Sequence, residues 1–193
     1  MDFTGKTFWI TGASSGMGKA LSISLSKVAR LIIISDRDKE GLQTTAAEIS
    51  RNGCEVRIEV LDMAEADSIR RVADSVFSEG ISIDGLYQFA GISQRSLVLG
   101  TPVAIVRRIM EINFFGVVTL AKVVLPHMVS RGGGQLAIAS SMVGKFGFPY
   151  RSAYAASKHA LQGFFESLRA ENSKHNISVS ILIPGRINTN ISK

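Results

Sequence analysis

The chain of 193 residues lacks several features that would place it elsewhere. It has a single cysteine, Cys54. No internal disulfide can form, which agrees with a reducing compartment. Its longest purely apolar runs, such as the LIII of 31–34, fall far short of the ~20 residues of a membrane span. The opening MDFTGKTFWITG has no basic segment followed by a long apolar stretch, so no signal peptide is read there. These absences give a cytoplasmic protein without an integral membrane segment as the expectation. His127, His159 and His175 show no metal-ligand spacing with Cys54 or with a carboxylate pair, so no metal is expected. No linker, low-complexity tract or solenoid repeat interrupts the chain, and 1–193 reads as one domain. The net charge is +6, but the basic residues are scattered and no basic stretch carries interleaved aromatics. That argues against nucleic acid as a partner. It leaves either a solvated basic surface or an anionic partner, such as a phosphorylated cofactor or an anionic lipid.

What the chain does have is alternation. Short runs rich in Ile, Val, Leu and aromatics fall at 7–11, 31–35, 55–60, 84–90, 135–140 and 177–183. They read as buried strands. Longer amphipathic patterns lie between them, at 16–29, 38–51, 65–78, 102–130 and 152–174, and read as helices. Repeated strand–helix alternation predicts an α/β fold, a doubly wound parallel sheet with helices on both faces in three layers. The glycines 132–134 mark a helix-to-strand turn.

The turn TGASSGMG joins the first strand to the first helix. Gly12, Gly16 and Gly18 allow a tight turn, close backbone approach and close helix–strand packing. Amides at the helix start, within the stretch Ser14, Ser15 and Met17, would then face a pyrophosphate. A plain helix start capped by Ser14 or Ser15 is the simpler alternative. Asp36, at the end of the second strand, lies about 20 residues past the glycines, where an acid binds the ribose hydroxyls of NAD. It could instead open the next helix. Arg37 could hold the extra phosphate of NADP, which Asp36 would repel. The cofactor expected is NAD or NADP, with NAD slightly favoured. Asp62, followed by Met63, could meet an adenine edge or cap the following helix.

Tyr154 and Lys158 stand four residues apart and share one helix face. The pair is either inert surface or a tyrosine held beside a cation to move a proton. Here the motifs add up. TGASSGMG at 11–18, Asp62, Ala90-Gly91, Asn113, Ser141, YAASK at 154–158 and PGRINT at 184–189 occur in one order. In this the chain resembles the short-chain dehydrogenase/reductases, which have the Rossmann fold. Within that family, 154–171 and 184–192 look similar to a membrane-associated branch linked to lipid carbonyl reduction.

The resemblance implies an NAD(P)-dependent oxidoreductase that interconverts a ketone or aldehyde and a secondary alcohol. It makes Tyr154 the general acid/base. Lys158 would lower the tyrosine pKa and hold the nicotinamide ribose. Ser141 would polarise the substrate oxygen, its neighbour Ser140 pointing the other way. Asn113 would disturb its helix and hold a water joining the lysine to solvent. Pro184-Gly185 would turn the chain so that Ile187 and Thr189 meet the nicotinamide. The resemblance also implies a homodimer or homotetramer. Ser93, Gln94, Met142, Val143, Phe146, Phe148 and Tyr150 flank the expected crevice, and because most are apolar they suggest a lipophilic carbonyl or alcohol as substrate.

The sequence departs from the family in two places. Phe89 stands where members usually carry an asparagine that ties neighbouring strands. Members also continue beyond PGRINT with a substrate-covering segment, another helix and a seventh strand. The expectation is therefore six strands without that lid, as in a piece of a longer protein. Both departures feed the rival reading, a nucleotide-sensing or scaffold protein that keeps the fold without catalysis.

Overall fold

A computed structural model describes residues 2–187. Six strands alternate with helices: β1 (Thr7–Thr11), α1 (Gly16–Leu25), β2 (Leu31–Asp36), α2 (Lys39–Arg51), β3 (Glu55–Val60), α3 (Ala66–Ser78), β4 (Gly85–Gln88), α4 (Val103–Met110), α5 (Val117–Ser130), β5 (Gly134–Ala139), α6 (Ser152–Asn172) and β6 (Ile177–Leu182). All pairings are parallel, in the order β3-β2-β1-β4-β5-β6. The order reverses direction between β1 and β4, so a crevice opens at the carboxyl ends of these strands. This is the doubly wound sheet that the alternation predicts.

Strand alternation splits the core in two. Trp9, Ile33, Leu86 and Leu136 face α3, α5 and α6, where Ile69, Val76, Leu120, Val124, Leu161 and Phe165 meet them. Phe8, Ile10, Ile32 and Ile34 face the opposite side and pack on Leu25, Leu42 and Ile49 of α1 and α2. Covered on both faces, β1 is buried along its whole length. That is why it reads as a continuous apolar run. β3, an edge among the described residues, mixes exposed and partly buried positions and has no fully buried one.

The strand boundaries match the sequence pattern within a residue or two, and β4 is the shortest. Asp84 leaves it to accept a hydrogen bond from the Thr7 amide at 2.9 Å. The first helix stops at Leu25, short of the predicted 29. There Ser26 donates back to the Ile23 carbonyl at 2.7 Å and accepts from Asn52 Nδ2 at 2.7 Å. Such local side-chain bonding competes with continuation of the helix.

The predicted helix 102–130 is continuous but not uniform. Between α4 and α5, Glu111–Gly116 form a π-helical segment that contains Asn113. π-bulges of this kind recur at functional sites. Gly116 is required there, because a Cβ would lie 2.0 Å from the Met63 carbonyl oxygen. The stretch Val103–Ser130 has the length of a membrane span and holds an 18-residue window with a mean hydropathy of 1.6. The individual apolar runs hid this. In the fold, Leu120, Ala121, Val124 and Met128 are instead buried against the sheet.

Candidate active site

A cleft of about 520 Å³ lies over the carboxyl ends of the strands. Gly12, Ser14, Ser15, Gly16, Met17 and Gly18 form one wall; Asp36, Arg37, Asp62, Met63, Ala90 and Gly91 also line the cleft, with Asp38 and Phe89 among their neighbours. The sequence signals from four separate loops thus converge on one cavity. Gly12 has φ +70°, and a Cβ there would stand 2.6 Å from the Ala90 nitrogen. A Cβ at Gly18 would stand 2.3 Å from the Gly12 carbonyl oxygen. Glycine is needed at both for the turn to sit this close to β4 and to its own helix. Ser15 is the N-cap of α1 but gives no side-chain cap bond. The first amides of α1 therefore remain available as donors at the positive end of the helix. A dinucleotide pyrophosphate fits this wall.

Asp36 is not the cap of α2. Asp38 is, accepting from the Gly41 amide at 3.0 Å. Asp36 instead accepts from the Ser14 hydroxyl at 2.8 Å and from the Asp38 amide at 3.2 Å. These bonds hold its carboxylate at the rim of the cleft, with Arg37 beside it. Nor does Asp62 cap α3, which starts at Ala66. It accepts from the Ala64 amide at 2.8 Å and pairs with Arg108 at 3.3 Å.

Beyond Gly91 the site is built from side chains. Gly91 is the hinge point between the two regions: a Cβ on it would lie 3.2 Å from Asn113 Oδ1 and 3.7 Å from Lys158 Nζ. Asn113 is fully buried. It accepts from the Ile92 amide at 2.8 Å, and its Nδ2 donates to the Ile92 carbonyl at 2.9 Å and to the Ser157 hydroxyl at 3.1 Å. Ser157 in turn donates to the Tyr154 carbonyl at 2.8 Å. The Asn113 side chain is thus engaged by protein groups, and it ties the loop after β4 to α6.

Ser141 follows β5 in extended backbone, at the start of a short 3₁₀ turn (Met142–Gly144). Ser140 points inward, donating to the Lys158 carbonyl at 3.2 Å, as strand alternation requires. Lys158 is buried, and its ammonium donates to the Ala139 carbonyl at 2.7 Å. Burial pushes the Lys158 pKa down to about 8. Nζ lies 5.6 Å from the centre of the Tyr154 ring.

One expectation is corrected here. Lys158 was to lower the Tyr154 pKa, but burial raises the phenol above its usual value, and the opposing influences are hydrogen bonding from Ser141 and the charge of Arg151. Lys158, pushed down to about 8, has lost its proton where the raised phenol ionises, so it does not favour the phenolate there.

Pro184 and Gly185 lie alongside this group. The Met142 amide donates to the Pro184 carbonyl at 3.2 Å, and a Cβ on Gly185 would lie 3.4 Å from Met142 Sδ. Ile187 is half-exposed. Thr189 lies outside the described residues. Phe89 needs no asparagine-like bond: it packs into the core beside α1 and α2, and its amide donates to the Thr11 carbonyl at 3.1 Å.

The family model described as short chain dehydrogenase matches residues 6–193. The chain belongs to the short-chain dehydrogenase family. Among related members, the dehydrogenase/reductase SDR family protein 7-like of Anopheles gambiae is 41% identical over an alignment of 193 positions that covers 97% of this chain and 61% of that protein. The dehydrogenase/reductase SDR family member 7B of Danio rerio is 37% identical over an alignment of 196 positions that covers 97% of this chain and 62% of that protein. The chain thus spans about three fifths of the length of these curated relatives. Among solved structures, a short-chain dehydrogenase/reductase from Mycobacterium marinum superposes with a TM-score of 0.93 at 30% identity, over 100% of this chain and 77% of that one. Levodione reductase gives 0.91 at 28% identity, covering 98% of this chain and 74% of that one. A Beutenbergia cavernae protein, assigned as an NAD(P)-dependent gluconate 5-dehydrogenase and holding NADP at low occupancy, gives 0.93 at 27% identity, over 99% and 76% of the two chains.

Within this short-chain dehydrogenase, two residues went unassigned in the sequence and a third had only a place. Ser157 could have been found from its position beside Lys158. Gln94, expected only to flank the crevice, accepts from the Tyr154 amide at 3.1 Å and so caps α6 from a remote loop. Arg151 reaches the same loop, donating to Ser93 Oγ and, at 3.0 Å, to the Gln94 carbonyl. No local pattern reveals such contacts, because they depend on how the loop after β4 crosses the start of α6.

Proposed function

We propose that the chain carries the cofactor site and proton-transfer group of an NAD(P)-dependent oxidoreductase that interconverts a carbonyl and a secondary alcohol. The observation that carries this reading is the convergence at Gly91. There a cleft suited to a dinucleotide meets Asn113 and Lys158, one helical turn from Tyr154 and beside Ser141. When bound, the nicotinamide supplies or accepts the hydride.

The protein groups divide the remaining work. Gly12, Gly18 and the open amides of α1 receive the pyrophosphate. Asp36 takes the adenosine ribose and disfavours a phosphate on it, which tips the preference toward NAD. Lys158 holds the nicotinamide ribose. Ser141 orients the substrate oxygen, and Tyr154 gives or takes its proton. A raised tyrosine pKa suits the acid role, because the phenol stays protonated at neutral pH and can donate to the oxygen formed on reduction. The exposed Met142, Phe146, Phe148 and Tyr150 near Ser141 favour a lipophilic substrate.

The test is Tyr154→Phe in the full-length protein, assayed over a panel of lipophilic carbonyls with NADH and NADPH. Turnover should drop by about 10²–10⁴ while cofactor binding, read from Trp9 fluorescence, is retained. Trp9 suits this use: it donates at 2.7 Å to Ser35, which borders the cleft. Unchanged turnover would remove Tyr154 from the chemistry.

A further inference from the structure

The start of α6 carries a feature that helix energetics disfavour. Arg151 is the N-cap, and a cation at that end opposes the positive pole of the helix. Its side chain gives no cap bond. The residue before it, Tyr150, has φ +64°, uncommon for a residue with a side chain. Neither feature helps the helix to form.

The contacts supply a reason. The guanidinium donates to Ser93 Oγ and to the Gln94 carbonyl, both in the loop after β4. The Gln94 side chain accepts from the Tyr154 amide and donates to Ser152 Oγ at 3.3 Å. The Ser96 amide donates to the Tyr150 carbonyl at 3.2 Å. Arg151 and Gln94 thus form a reciprocal clamp between the loop and the first turn of α6. That turn carries Tyr154.

We propose that Arg151 is a positioning residue for Tyr154, clamping the β4 loop to the start of α6. The inference deepens the reading of Tyr154 as the proton-transfer group and rests on it for its functional meaning. Other charged side chains lie on the elements packed against α6. Arg95 belongs to the loop; Arg107, Arg108 and Glu111 belong to α4 and the π segment; Lys145 follows β5; Lys174 and His175 follow the helix. On α6 itself are Lys158, His159, Glu166, Arg169 and Glu171. Arg108 pairs with Asp62, and Lys145 pairs with Glu166 at 3.6 Å. Among all of these, Arg151 is the charge that acts on the phenol, favouring its ionised form against burial.

Two measurements on the full chain, needing neither substrate nor cofactor, test the clamp and the charge separately. The first is a pH titration of ¹³Cζ-labelled tyrosine by NMR. There are three tyrosines, and Tyr154→Phe identifies the signal. In Arg151→Gln the Tyr154 midpoint should move up, leaving less phenolate at a given pH. In Arg151→Lys it should stay near that of the wild type. An unchanged midpoint in Arg151→Gln, or an equal shift in Arg151→Lys, overturns the role of the charge. The second is hydrogen exchange at the Tyr154 amide, expected to speed up about tenfold in both Gln94→Ala and Arg151→Gln. Wild-type exchange in Arg151→Gln overturns the clamp. Turnover in Tyr154→Phe remains the separate check on catalysis, so failure of either idea can be told from failure of the other.

Discussion

The cofactor cleft and the proton-transfer end of the site are built on different principles. The cleft is mostly backbone: a glycine turn, helix amides and the carboxyl ends of strands. Its demands are steric and local, and a few residue types at fixed spacing express them. The proton-transfer end is mostly side chains from distant segments. Asn113, Lys158, Gln94 and Arg151 each reach a partner at least 10 residues away in sequence, and most reach much further. A local motif thus specifies the first region, while tertiary packing completes the second. The two regions should therefore fail differently when altered.

The largest effect should come from the buried cation of the second region. Folding lowers the Lys158 pKa from 10.5 to about 8. Below pH 8 both folded and unfolded chains carry the charge, and the folded one bears the cost of burying it. Between 8 and 10.5 the folded chain loses its proton first, so this cost fades and stability rises with pH. The rise amounts to about 3 kcal/mol at most. Above about 10 it meets an opposing trend. Tyr87, pushed up to about 12, and Tyr154, also raised, stay protonated in the fold while the unfolded chain ionises. Urea unfolding between pH 7.5 and 10 should show the rise in the wild type and not in Lys158→Met. A flat wild-type profile would mean that Lys158 is not held in a dry environment, and the contrast between the regions would weaken.

A smaller effect should come from the first region. In Gly18→Ala the new methyl meets the Gly12 carbonyl at 2.3 Å, and this neighbour is backbone. Overpacking of this kind costs about 1–3 kcal/mol. It should also misplace the α1 amides and weaken NADH binding about tenfold or more, as read by fluorescence titration. The tyrosine titration should not move. A Tyr154 midpoint displaced by Gly18→Ala would show that the two regions are one mechanical unit.

These contrasts explain what could be read in the sequence. The fold was legible because strands buried on both faces must be apolar throughout, and helices on a sheet must be amphipathic. The glycine wall was legible for the steric reasons above. Asn113 was noticed for being unfavourable within a helix, and the π segment around it bears that out. What its side chain binds was not legible, because Ile92 and Ser157 come from other elements. The direction of the Tyr154 pKa was misread. Spacing places Lys158 near the ring, but it does not report burial of the phenol or the carbonyl that already engages the lysine.

The smallest predicted effect sharpens the comparison at the rim of the cleft, where charge matters more than shape. Asp36 is held by Ser14 and the Asp38 amide, and Arg37 borders the same cavity. Asp36→Asn removes one negative charge and keeps an acceptor for the Ser14 hydroxyl. The α2 cap is untouched because Asp38 supplies it. Arg37 then faces a phosphate on the adenosine ribose with Asp38 as the acid left beside it. At a few ångströms near the surface, such a change is worth about 1 kcal/mol after screening, roughly a fivefold gain for NADPH. NADH affinity should fall by a similar factor as the ribose hydroxyls lose a charged acceptor. The check is competitive titration of NADH and NADPH on the wild type and Asp36→Asn at two salt concentrations. The ratio should swing toward NADPH, and less so at high salt. An unchanged ratio would mean that Asp36 fixes the Ser14 turn and leaves the choice of cofactor to other groups.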